Sequence, residues 1–85
     1  MKRSSKGIGE GQSSGSVVIC NRGEHAVQVI LEPWLEECEL MPGASARVVF
    51  HGPDGGEVIV EYYSDCIIVY GYTGSVMELL GPEGP

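Results

Sequence analysis

Seven stretches whose side chains alternate with a period of two, separated by glycine, proline, asparagine and aspartate, constrain this chain more than any other feature. Residues 16–20 (SVVIC) are apolar on both alternating sets, which suits a covered strand. Residues 25–32 place Val27, Val29 and Leu31 on one side, with Gln28 and Glu32 on the other. Residues 35–40 form a weaker, acid-rich strand. Residues 45–51 set Ala46, Val48 and Phe50 against Arg47 and His51, and residues 57–63 set Val58, Val60 and Tyr62 against Glu57 and Glu61. Residues 66–70 are apolar on both sides, and residues 75–80 complete the series. Glycine, proline or β-branched residues interrupt every window of twelve, so no segment reads as a helix.

The separators are turn chemistry. Asn21-Arg22-Gly23-Glu24 fits a tight hairpin, Met41-Pro42-Gly43 fits a type II turn, and Gly52-Pro53-Asp54-Gly55-Gly56 fits a looser hairpin loop. Thirteen glycines in 85 residues, about twice the usual share, fit many short elements joined by turns. The expectation is a single all-β domain of six or seven short antiparallel strands, a small β-sandwich or barrel, over residues 16–80. Residues 1–15 read as a disordered low-complexity tail, and residues 81–85 (GPEGP) as a flexible one. A domain this small buries only about 60% of its unfolded surface. A homodimer built through sheet edges would relieve that marginal core.

Charge narrows the classes of partner. The formal net charge is −7, yet Lys2, Arg3 and Lys6 fall in the first six residues; removing those three cations leaves −10 over residues 7–85. That body would repel a phosphate backbone or an anionic membrane, so neither nucleic acid nor membrane is an expected partner. The cysteines, Cys20, Cys38 and Cys66, are odd in number and widely spaced, with no C-x-x-C pair. That pattern, with no apolar leader after Met1-Lys2-Arg3, points to free thiols in a cytoplasmic compartment.

No catalytic residue, metal ligand set or cofactor motif is expected. Neither a G-x-S-x-G elbow nor a phosphate-binding glycine loop occurs, so the chain reads as no enzyme. The candidate binding residues are Trp34, Glu32, Glu36, Glu37 and Glu39. Glu37 and Glu39 share one face of a strand about 7 Å apart, a spacing that could hold a hard cation such as Ca²⁺ or simply protect a sheet edge. Trp34, the only tryptophan, is either a recognition anchor or a lid on one end of the core. Adjacent strands are expected to bring Tyr62 and Tyr70 together. Widely separated His25 and His51 could share a metal with a cysteine only if the sheets juxtapose them.

Leu40-x-Pro42-Gly43…Val48-x-Phe50, followed by Gly56 and Tyr62, faintly resembles the cupredoxins, the blue-copper sandwich proteins. That likeness implies a sandwich without copper, since no His follows position 51 to complete the ligand set. Glu32-Pro33-Trp34…Leu40-x-Pro42-Gly43…Tyr70-Gly71-Tyr72-x-Gly74-Ser75 resembles a group of small uncharacterised bacterial proteins, over roughly residues 16–80. The resemblance implies a compact bacterial all-β domain and carries no activity. It also leads one to expect a small turn residue after Trp34, where this chain has Leu35. The expected function is a non-enzymatic acidic protein-interaction module or small accessory protein that binds a basic protein surface. The alternative is a sandwich that binds a divalent cation or small ligand.

Overall fold

The computed structural model describes residues 10–83. Seven strands follow one another: β1 (Gln12–Cys20), β2 (Val27–Glu32), β3 (Glu36–Leu40), β4 (Ser45–Pro53), β5 (Ile59–Tyr62), β6 (Cys66–Tyr70) and β7 (Val76–Glu83), with no helix among the described residues. They form two sheets, one in the order β1-β4-β7 and one in the order β3-β2-β6-β5. The sheets are not closed into a barrel; the molecule is sandwich-like.

The alternation predicted from the sequence builds the core. Val29, Leu31, Leu40, Val48 and Val69 are wholly buried, joined by Ile19, Ala44, Ala46, Ile67 and Met77. Each strand sends every second side chain inward, and the two inner faces meet. Cys38, Phe50, Val58, Val60 and Leu79 pack around this cluster.

Four expectations are corrected. The N-terminal tail does not extend to Gly15: β1 begins at Gln12, and Gln12 through Gly15 pair with Pro53 through Phe50. Similarly, β7 continues to Glu83 and pairs Glu83 with Ser45, although residues 81–85 were expected to be flexible. The rest of both tails, residues 1–9 and 84–85, lies outside the described residues. The strands are not all antiparallel, since β2 and β6 run parallel, with Gln28 opposite Cys66 and Glu32 opposite Tyr70. Finally, Asn21-Arg22-Gly23-Glu24 and Gly52 through Gly56 are not hairpin loops, because each carries the chain from one sheet to the other.

Among the described residues two connections are hairpins, β2–β3 and β5–β6. The Met41–Ala44 turn takes its expected form: Pro42 and Gly43 occupy the central positions, Gly43 has φ of 87°, and Ala44 N–H donates to Met41 O at 2.9 Å. Beside it sits Asn21, a buried polar residue that the sequence presents only as a turn former. Its Nδ2 donates to His25 O and Leu40 O, each at 2.8 Å, and its Oδ1 accepts from Gly23 N–H at 2.9 Å. Its backbone bonds Ala44 and Gly43. One side chain thus ties together the two loops that cross between the sheets at this end.

Candidate interaction face on the four-stranded sheet

The inward set of the four-stranded sheet is committed to the core, so its alternate set faces away from the sandwich. Strand registers arrange that outer set in three rows. Glu39, Gln28 and Cys66 form the first; Glu37, Ile30, Ile68 and Glu61 the second; Glu32, Tyr70 and Ile59 the third. At ordinary strand spacing the face is about 14 Å across. Its middle is apolar and aromatic: Ile30, Ile68 and Tyr70 are half-buried, and Ile59 is 53% exposed. Carboxylates border it, Glu37 and Glu39 on the β3 edge, Glu32 at one end and Glu61 on β5. No lysine, arginine or histidine belongs to these rows.

The aromatic part is held by charge-assisted hydrogen bonds. Tyr63 Oη donates to Glu61 Oε1 at 2.8 Å and Tyr70 Oη donates to the same oxygen at 3.1 Å. Accepting from the neutral phenols favours the protonated form, so this carboxylate raises both tyrosines above their ordinary range, with proximity of its charge adding to the effect. The pair that converges is therefore Tyr63 with Tyr70. Tyr62 lies opposite Ile67 at the far end of β5 and is 74% exposed; it belongs neither to the core nor to this pair.

The predicted binding residues separate once the strands are paired. Glu36 shares the inward-facing set of β3 with Cys38 and Leu40, and its Oε1 accepts from Leu79 N–H of β7 at 3.2 Å. It closes one side of the sandwich, where β3 runs along β7. Glu37 faces outward and accepts from Gln28 Nε2 at 2.6 Å. Glu39 is exposed opposite Gln28, and Glu32 ends β2 beside Tyr70. Among the described residues no group of three or more His, Cys, Asp or Glu side chains is placed to hold a metal ion. His25 lies in the β1–β2 loop and His51 in β4, opposite Ser14 and Val76.

Trp34 sits in the β2–β3 hairpin at the end of the third row. Its indole lies on Gly71, which directly follows Tyr70; a Cβ at position 71 would stand 2.8 Å from Ser75 Oγ and 3.0 Å from the indole carbons Cη2 and Cζ3, so a larger residue there would displace the serine hydroxyl or the ring. The ring remains 42% exposed. Leu35 follows with φ of 59°, a left-handed conformation unusual for leucine, and its N–H donates to Leu31 O at 2.7 Å. It is 65% exposed. Pro33, Trp34 and the Gly71–Ser75 turn border an open depression of about 410 Å³. Ser75 Oγ locks that turn, donating to Tyr72 O at 2.6 Å and accepting from Tyr72 N–H at 2.9 Å.

Of the residues that make this face an apolar one, the sequence does not single out Ile30, Ile59 and Ile68, and it marks Tyr70 only as an expected neighbour of Tyr62. The available signal was β6, apolar on both sides although only one side can face the core. No protein-family profile, no curated protein and no solved structure matches the chain.

Proposed function

We propose that this protein is a non-enzymatic interaction module whose outer four-stranded face docks a basic protein surface carrying an apolar patch. One observation carries the reading: an uncovered row of isoleucine and tyrosine side chains bordered by Glu32, Glu37, Glu39 and Glu61, with no cation in it. Contiguous apolar surface with a polar rim is the usual anatomy of a recognition site. The carboxylate rim steers a cationic partner and disfavours acidic ones. The tyrosines already bonded to Glu61 lose little freedom on binding. Leu35, exposed at the β2–β3 hairpin, adds an apolar side chain next to this sheet.

Capture from source-cell lysate at low salt tests this reading when variants run beside the wild type. Ile68→Lys places a charge in the apolar middle, and Glu37→Lys/Glu39→Lys reverses the rim. A basic protein retained by the wild type, released by salt, and retained at least tenfold less by both variants is the expected result. An identical set of retained proteins for all three, or none for the wild type, overturns the reading.

The depression beside Trp34 favours a second reading, a small uncharged ligand held against the indole. Trp34 is the only tryptophan, so its emission reports occupancy directly when a fragment library is screened. The divalent-cation version predicts a higher melting temperature with saturating Ca²⁺, Mg²⁺, Mn²⁺, Zn²⁺ or Cu²⁺. A flat response to all five removes it.

A further inference from the structure

The two sheets have four edges, and three are guarded against pairing with another chain. The β3 edge carries Glu36, Glu37 and Glu39, with Pro33 just before it. β5 is only four residues long and includes Glu61. β7 carries Glu78, Pro82 and Glu83, and its Leu79 N–H is already taken by Glu36. Charges, prolines, short strands and covered donors are the ordinary means of blunting an edge.

The fourth edge has none of these. β1 runs nine residues, QSSGSVVIC, without a charge or a proline. It pairs with β4 along its whole length on one side and, among the described residues, with no strand on the other. Two bonds bracket the pair and fix which backbone groups are free: Asn21 N–H donates to Ala44 O, and Asp54 N–H donates to Gly11 O, each at 2.9 Å. The odd-numbered residues between them therefore turn their backbone groups towards β4. The even-numbered ones, Gln12, Ser14, Ser16, Val18 and Cys20, turn theirs to the open edge. Residues 16–20 have the composition of a covered strand, yet Val18 is 51% exposed and Cys20 is exposed.

We propose that β1 is a homodimer interface, pairing antiparallel with β1 of a second copy about a two-fold axis at Ser16. In that register Ser16 meets Ser16, Ser14 of each copy meets Val18 of the other, and Gln12 meets Cys20. Every edge-facing residue of one strand then finds an edge-facing residue of the other, as an isologous contact requires. The second copy is the favoured occupant on charge as well. Two chains of net charge −7 repel, and β1 is the edge where no carboxylate of one strand opposes a carboxylate of the other. Arg47, beside Val18 on β4, is the nearest charged group along the strand's middle. The dimer would have a six-stranded sheet, and both four-stranded sheets would keep their outer faces free. It would display two docking faces and bind a multivalent basic partner with avidity.

Sedimentation equilibrium over a concentration series tests this directly. Ser16→Pro removes an edge-facing N–H and no backbone bond to β4, losing on that side only the exposed Arg47 Nη1 to Ser16 Oγ bond of 3.1 Å, and Ser16→Lys sets two cations opposite each other at the two-fold axis. The wild type is expected at twice the 9.1 kDa chain mass, with both variants at the single-chain mass under the same conditions and an unchanged circular dichroism spectrum. Ser16→Cys in a Cys20→Ser background gives a readout that needs no destabilising change: mild oxidation should link two chains through residue 16. A wild type that remains at the single-chain mass to millimolar concentration, variants that still associate, or no cross-link at residue 16 overturns the proposal.

Discussion

Leu35 holds a backbone conformation that costs an L-residue about 1–2 kcal/mol and that asparagine adopts readily. Its side chain is largely exposed, so it recovers little by burial. Leu35→Asn should therefore stabilise the fold by about 1 kcal/mol, a rise of about 4–8 °C in Tm for a domain of this size. Thermal unfolding followed by circular dichroism checks this; a fall in Tm would show that Leu35 contributes packing that outweighs its backbone strain. The sequence could not announce Glu61, which looked like one more outward carboxylate until strand pairing set Tyr70 beside it. The two tyrosines give a pH prediction with a definite sign. Their folded-state pKa values lie above the ordinary 10.0, so their contribution to stability is full below about pH 10 and is lost as pH rises through the higher folded values. In Glu61→Gln, ultraviolet absorbance should show Tyr63 and Tyr70 ionising at lower pH than in the wild type. Unchanged titration would mean that the carboxylate does not govern them.

Strand positions and the inward faces of the alternating strands were legible because a two-residue period betrays which side is buried: Val29, Leu31 and Val48 are at the centre of the core as that period requires, whereas β6, apolar on both sides, gave no sign that Val69 rather than Ile68 turns inward. The partition of strands between sheets was not legible. A turn signal marks where a strand stops, without saying whether the next strand lies beside it or across the sandwich. Asn21-Arg22-Gly23-Glu24 has the residues of a tight hairpin, yet Asn21 is drawn inward by Leu40 O and His25 O, and the chain crosses between sheets. The start of β1 escaped notice because Gln12 through Gly15 are small, polar and exposed, so no apolar period marks them. The end of β7 escaped because Gly81 and Pro82 argue against a strand, although an edge strand tolerates proline. The acidic segment divided for the same alternating reason, with Glu36 turned towards β7 and Glu37 and Glu39 turned out. The Asn21 brace implies that Asn21→Ala leaves buried carbonyls unpaired and costs about 2–3 kcal/mol. Urea unfolding measures this directly. A loss below about 0.5 kcal/mol would show that the crossing loops hold together without it.

For the whole molecule, the two sheets bury one face each and leave unlike surfaces outside. The outer four-stranded face concentrates apolar side chains inside a carboxylate rim, whereas β1 offers an uncharged edge on the other sheet. We assign partner recognition to the first and self-association to the second, so the two are separable: Ser16→Pro should leave the sites on the four-stranded face intact, and Ile68→Lys should leave the chain mass in solution unchanged. Isoleucine methyl spectra distinguish the proposed face from the core, because Ile30, Ile59 and Ile68 lie on that face while Ile19 and Ile67 lie in the core. On titration with the basic protein captured at low salt, the methyl signals of Ile30, Ile59 and Ile68 and the Trp34 indole N–H should shift or broaden, with Ile19 and Ile67 unmoved. Shifts that spare those three isoleucines, or that appear equally at Ile19 and Ile67, would contradict the assignment of recognition to this face.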